Sequence, residues 1–236
     1  MELITYSALF IPLIGFLVLF ATSFFISRLV TGLIGCGTVL ISFLLFASLL
    51  YNNATEMTVT LFSWIPVAGI DSHFTLHVDS LSLLMTLIIT GVGFLIHLYS
   101  NGYMDHDKDF ARFFACLNFF IFAMLLLVLA GDLLLLFVGW EGVGLASYLL
   151  IGFWYDRPSA ATAATKAFVV NRIGDLGLLL GIILTLYTFG TANIAEIAKA
   201  ASTIAVPTLT AITLLFFVGA TGKSAQIPLH TWLPDA

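Results

Sequence analysis

The chain has 236 residues, of which 61% are hydrophobic and 9% charged, with a formal net charge of −5. Soluble domains carry roughly 25% charged residues, so the deficit excludes a water-facing globular surface and makes lipid the main solvent. No basic tract is present, which removes the electrostatic basis for binding nucleic acid.

Met1-Glu2 supplies no positive n-region, and the apolar run 3–25 is longer than a signal h-region. A retained transmembrane helix is expected there. A span needs roughly 20 apolar residues. The further candidates are 31–51, 80–100, 112–130, 132–154, 165–189 and 207–227, seven in all. Backbone polar groups cannot stay unpaired in lipid, so these runs should be helices. Gly131-Asp132 separates the fourth from the fifth and implies a tight helical hairpin. Cys36 and Cys116 stand alone in apolar runs, have no metal or disulfide spacing, and are read as packing thiols.

Lysine and arginine placement sets the expected orientation. Arg28, then Lys108 and Arg112, then Arg157 and Lys166 fall in loops that share one side, assigned to the cytoplasm. The opposite side has the 52–79 loop, without Lys or Arg, and the 190–206 loop, with only Lys199. The N-terminus is therefore expected outside.

The stretch "MTVTLFSWIPVAGIDSHFTLHVD" has two β-rich arms around Pro66-Val67-Ala68-Gly69. His73, Thr75 and His77 alternate with Phe74, Leu76 and Val78, the period of a half-buried strand. A small external hairpin is predicted over 57–79, after two helices in 1–56 and before the main bundle in 80–236. His73 and His77 would share a strand face, and no metal site is expected from them. "ANIAEIAKAAS" reads as a short amphipathic helix at the interface. Gly174, Gly177 and Gly181 should let neighbouring helices approach closely.

Charges inside the spans carry the functional signal. An ionisable group at a helix centre costs about 2.5–3.5 kcal/mol on insertion scales, and such groups are paired or mark ion paths. Glu141 lies near the middle of the fifth run, with Trp140 expected to point elsewhere on the helix. Arg172 and Asp175, three apart in the sixth, share a face and can pair with each other. Lys166, nearer the membrane edge, can snorkel. Lys223 precedes Pro228, which should break or kink the seventh helix, and broken membrane helices line protein or water cavities. Burial disfavours the charge of a lysine and a nearby carboxylate favours it. A lysine whose partner approaches or withdraws can therefore load and release a proton. His230, seven residues on, is a candidate relay. His97 has no matching histidine for a haem pair.

"HVDSLSLLM", "GWEGVGLASYLLIGFW", "AFVVNRIGDLGLLLG" and "GKSAQIPLHTWLPDA" together resemble the antiporter-like membrane subunits of proton-pumping NADH:quinone oxidoreductase, respiratory complex I. The likeness runs over the whole chain. The segment around Lys223 is shared with Mrp-type cation/proton antiporters, while "NRIGD" points to the chain L, or subunit 5, type. The resemblance implies an all-α polytopic membrane protein built of inverted repeats with a broken helix in each. It implies no redox cofactor in this chain, with FMN, iron–sulfur clusters and quinone in other subunits. It assigns proton transfer to Glu141 and Lys223, Glu141 stabilising the protonated lysine. Asp175 matches the family's acidic residue of the sixth helix, Arg172 is its neighbour, and His230 lies in the polar stretch after the break. It further implies a neighbouring antiporter-like chain M, a bacterial inner membrane in preference to a mitochondrial one, and no catalysis by this chain alone. Family members continue for several helices past "HTWLPDA", so the resemblance is to their N-terminal part. Two other classes compete: an Mrp-type Na+/H+ antiporter subunit and a purely structural membrane scaffold.

Overall fold

The computed structural model describes residues 1–52, 56–67 and 70–236. Among the described residues, seven helices are long and apolar enough to cross a membrane: α1 (Glu2–Thr22), α2 (Arg28–Tyr51), α3 (Ser80–Tyr103), α4 (Phe110–Leu129), α5 (Leu133–Ile151), α6 (Pro158–Phe189) and α8 (Val206–Lys223). Strands β1 (Met57–Val67) and β2 (Ile70–Val78) pair in a two-stranded sheet, and α7 (Ile194–Ala200) is the short helix anticipated near residue 195. The centre of the expected hairpin turn, Ala68-Gly69, lies outside the described residues. Large apolar side chains on these helices, such as Leu29, Leu95 and Tyr187, are exposed, which suits a surface solvated by lipid.

The chain divides into two compact units. The first comprises Met1–Val59 and His77–Leu129. In it α1 packs on α2 and α4, and α3 packs on both α2 and α4. Ala8, Leu9, Val39, Phe46, Phe114 and Leu125 are wholly buried there. Asp79 caps α3: its carboxylate accepts from the Ser82 N–H at 2.6 Å, and the Ser82 hydroxyl accepts from the Asp79 N–H at 2.8 Å. This reciprocal box satisfies two groups that a helix start leaves unpaired. Deeper in the bundle, His97 Nδ1–H donates to the Gly93 carbonyl at 2.7 Å, and Asn118, which accepts from the Thr38 hydroxyl at 2.6 Å, turns its amide nitrogen toward His97 Nε2 at 3.4 Å. His97 is thus a buried hydrogen-bonding residue that joins α3 to α4.

The second unit comprises Thr60–Leu76 and Ala130–Ala236. Phe62 and Phe74 stack with centroids 5.4 Å apart, and Thr60 faces Thr75 at 3.2 Å across the hairpin. Leu76 is fully buried, as the alternation requires, but Thr75 is buried too. Asp132 organises the end of this unit. It is 3% exposed, and its Oδ1 accepts from the Leu134 N–H at 2.8 Å to cap α5 while its Oδ2 accepts from the Ser72 hydroxyl at 3.1 Å. The Leu133 N–H donates to the Ala192 carbonyl at 2.9 Å and the Ile194 N–H to the Gly131 carbonyl at 3.1 Å, which seats α7 beside the start of α5.

Helix α6 is the axis of the unit, with α5 and α8 packed along it. The α6–α8 seam is glycine-lined. A Cβ on Gly174 would stand 3.0 Å from the Gly222 Cα, and one on Gly177 2.6 Å from Val218 Cγ1. These close approaches require small residues.

Two boundaries differ from the sequence expectation. Helix α6 starts at Pro158, not near 165, because Pro at the first helical position favours initiation even where Thr162, Thr165 and Lys166 lower the hydropathy. Helix α8 ends at Lys223, not 227, and Pro228 is not the residue that stops it. Ala225 turns left-handed at φ 48°, and the Gln226 N–H bonds to the Thr221 carbonyl at 2.9 Å while the Ala225 N–H bonds to the Gly222 carbonyl at 3.3 Å. This is the Schellman arrangement. Trp232, in the 3-10 segment Leu229–Asp235, folds back and donates its indole N–H to the Gly222 carbonyl at 3.0 Å. The end of α8 is therefore a capped terminus whose last residue is the intramembrane lysine.

Candidate proton-transfer site

The intramembrane charges of the second unit converge on α6. Glu141 projects from the ninth position of the 19-residue α5. Arg172 and Asp175 come from the middle of α6, and Lys223 from the end of α8. Lys223, although the last residue of α8, packs beside mid-helix residues, Asp175 of α6 and Gly144 of α5.

Glu141 and Lys223 each pair with a different residue of α6. Arg172 forms the ion pair with Glu141 Oε2, and its guanidinium also stacks 4.6 Å from the Phe168 ring centroid. Lys223 Nζ instead faces Asp175 Oδ2 at 3.8 Å. Arg172 reaches the same Oδ2 at 3.9 Å. Among the described residues no ion pair joins Glu141 to Lys223. The physical reason is topological: α5 and α8 both pack on α6, and the charged face of α6 supplies each with an opposite partner. Four charges thus form a neutral chain, Glu141–Arg172–Asp175–Lys223, across three helices. Lys223 nevertheless lies against α5, because a Cβ on Gly144 would stand 2.6 Å from its Nζ. Gly144 is one turn from Glu141, so the missing side chain makes the room the ammonium occupies.

Trp140 is the main residue that the sequence reading missed. It was expected to point away from the charges. Its indole N–H donates to Asp175 Oδ1 at 2.5 Å, and its ring centroid is 5.8 Å from Lys223 Nζ. Arg172 and Asp175 share a face of α6, so two consecutive residues of α5 can each engage one of them.

Burial is graded along the chain of charges. The Asp175 side chain is 3% exposed, Lys223 18%, Glu141 23% and Arg172 42%. Glu141 Oε1, Lys223 Nζ and Asn171 Oδ1 are buried atoms without a hydrogen-bond partner in the structure. Buried groups left in this way need an explanation, and these three lie on α5, α6 and α8. A pocket of about 460 Å3 borders the site, walled by Phe137, Phe168, Ile173 and Leu176, and reaches Glu141, Arg172 and Asp175.

The remaining sequence candidates lie apart from this centre. Lys166 pairs with Asp235 at 2.6 Å, both about half exposed, which ties the 3-10 segment to the early turns of α6. His230 is exposed in that 3-10 segment. Because α8 ends at Lys223, no helical face aligns His230 with the lysine. Among the described residues, no grouping of His, Cys, Asp and Glu could hold a metal ion.

Residues 130–236 match the family described as NADH:quinone oxidoreductase/Mrp antiporter, TM, and residues 64–114 match NADH-Ubiquinone oxidoreductase (complex I), chain 5 N-terminus. The chain belongs to the antiporter-like membrane-subunit family. It is 52% identical over 210 residues to NADH-quinone oxidoreductase subunit L of Mycobacterium tuberculosis, an alignment covering 86% of this chain and 33% of that protein. It is 42% identical to subunit L of Pseudomonas aeruginosa, covering 100% of this chain and 40% of the relative, and 42% identical to that of Escherichia coli, covering 96% and 38%. The chain thus spans between a third and two fifths of the length of these curated relatives. Its fold matches a chain in the structure of the Mrp complex from Dietzia sp. DQ12-45-1b, with a TM-score of 0.83 and 26% identity, over 99% of this chain and 24% of that one. Glu141, Arg172, Asp175 and Lys223 all fall within the matched region 130–236.

Proposed function

We propose that this chain is part of a proton-translocating membrane-arm subunit of an NADH-quinone oxidoreductase of the subunit L type. The observation that carries the reading is the neutral chain Glu141–Arg172–Asp175–Lys223, which links the middles of α5 and α6 to the end of α8. Lys223 is the proton carrier. Asp175 is its direct counter-ion, and Arg172 couples that carboxylate to Glu141. A shift of Arg172 toward Glu141 frees Asp175 to hold a protonated Lys223, and a shift toward Asp175 weakens that hold and favours proton release. Glu141 therefore acts on Lys223 through Arg172 and not by touching it. The driving reaction, quinone reduction, belongs to other subunits, and this chain needs no redox cofactor of its own. Its partners are the adjoining membrane subunits, with an antiporter-like chain M as neighbour. The setting is a bacterial inner membrane with the N-terminus outside, as the Arg28, Lys108 and Arg157 loops indicate.

The test is to tag the chain in its source cell, solubilise the membranes gently and separate them on a native gel. Comigration with NADH:quinone oxidoreductase activity supports the reading, and migration apart from that activity refutes it. The structural likeness to an Mrp complex favours a second reading, a Na+/H+ antiporter subunit driven by the proton gradient. Sodium-dependent proton flux that persists without NADH or quinone would establish it.

A further inference from the structure

Trp140 has no role in the scheme above, yet it touches both the anion and the cation at its centre. Its N–H reaches Asp175 Oδ1 at 2.5 Å, and its ring lies 5.8 Å from Lys223 Nζ. An indole N–H only donates, so this bond ties Asp175 Oδ1 to α5. The other oxygen, Oδ2, faces two cations at nearly equal range, Arg172 at 3.9 Å and Lys223 at 3.8 Å. Neither is at hydrogen-bond distance. A carboxylate free to turn between an arginine and a lysine would offer both oxygens and close into a bidentate or short charge-assisted pair with one of them. The bond from Trp140 opposes that rotation.

The geometry points to Trp140 as a positioning residue: by holding Oδ1 of Asp175 it keeps Oδ2 shared between Arg172 and Lys223, so that the lysine is neither locked nor released. This inference rests on the reading of Lys223 as the proton carrier. Without the indole N–H, Asp175 rotates and pairs tightly with one cation, and the exchange that moves the proton slows.

The experiment measures proton pumping by the assembled NADH:quinone oxidoreductase in closed vesicles, for Trp140→Phe, Asp175→Asn, the double variant and Lys223→Ala. Phenylalanine keeps a ring face for Lys223 and removes the donor together with part of the ring volume, so the double variant is needed to separate the two effects. Hydrogen bonds to charged groups are strong enough that Trp140→Phe should lower pumping about tenfold. If Trp140 acts through Asp175, the double variant pumps no worse than Asp175→Asn alone. Additive losses mean a merely structural tryptophan and overturn the inference. Wild-type pumping by Trp140→Phe, with pumping lost in Lys223→Ala, overturns it while the proposed function stands. Undiminished pumping by Lys223→Ala overturns the reading it rests on. Ultraviolet resonance Raman spectra supply a readout that does not need Trp140→Phe to assemble. The signal of one strongly hydrogen-bonded indole should be present in the wild type and lost in Asp175→Ala, and identical spectra would overturn the inference.

Discussion

Replacing Asp175 by asparagine isolates the electrostatic part of the mechanism. Asparagine keeps the size of the side chain and an oxygen for the Trp140 N–H. It removes one of the two negative charges of the four-member chain and leaves it with a net charge of about +1. Lys223 is 3.8 Å from the lost charge and Arg172 3.9 Å. Two unit charges about 4 Å apart attract by about 4 kcal/mol at an effective dielectric constant of 20. Arg172 retains Glu141, but among the described residues Asp175 is the sole carboxylate within ion-pair range of Lys223. Even a third of that attraction, about 1.4 kcal/mol, changes an equilibrium tenfold. Asp175→Asn should therefore lower proton pumping at least roughly tenfold in closed vesicles, while native gels show normal assembly. Asp175→Glu, which keeps the charge, should retain a measurable part of the activity. Wild-type pumping by a normally assembled Asp175→Asn complex would refute the assignment of Asp175 as counter-ion.

Three further outcomes are expected. Glu141→Gln leaves Arg172 without its strong partner and turns it on Asp175, in competition with Lys223. The double variant Glu141→Gln/Arg172→Met restores neutrality, so it should pump better than Glu141→Gln alone; an equal or worse double variant would contradict the indirect coupling. Asp132→Ala removes the cap of α5 and the bond from Ser72, and should cost about 1–2 kcal/mol, read as a lower thermal midpoint in detergent. Asp79 titrates in the folded state below its ordinary value, chiefly because the Ser82 backbone N–H stabilises its charge. A depressed carboxyl adds stability above its unfolded value near pH 4, and loses it as pH falls through the lower folded value. The stability gap between wild type and Asp79→Ala should thus be full at pH 6 and close as the pH is taken well below 4; a constant gap would contradict the capping account.

The spans, the hairpin region and the intramembrane charges were legible in the sequence because each rests on a local rule. Length and hydropathy report what lipid tolerates, so α1 to α4 appear almost at their observed bounds. The same rule misplaced the start of α6, since lipid compatibility and helix propensity part company at Thr162, Thr165 and Lys166. Pro228 was a visible breaker, but the hydrogen bonds that end α8 belong to Ala225 and Gln226, and an alanine at a left-handed position leaves no compositional mark. At the site, Glu141, Arg172, Asp175 and Lys223 were all visible as charges in apolar runs. Their partners were not, because pairing depends on which helices pack on α6. Gly144 and Trp140 acquire meaning only once α5 and α8 share that helix: one is a gap for an ammonium, the other a donor aimed at a carboxylate. His97 shows the reverse case, an ionisable residue in a span whose ring is wholly occupied by Gly93 and Asn118.

The central claim, that Lys223 carries the proton, is tested most directly by measuring protons translocated per NADH oxidised in closed vesicles bearing Lys223→Ala in the full-length, assembled complex. Loss of most of the protons translocated per NADH, with quinone reduction still running and the complex intact on native gels, is the predicted result. An unchanged proton-to-electron ratio at an unchanged turnover would contradict it.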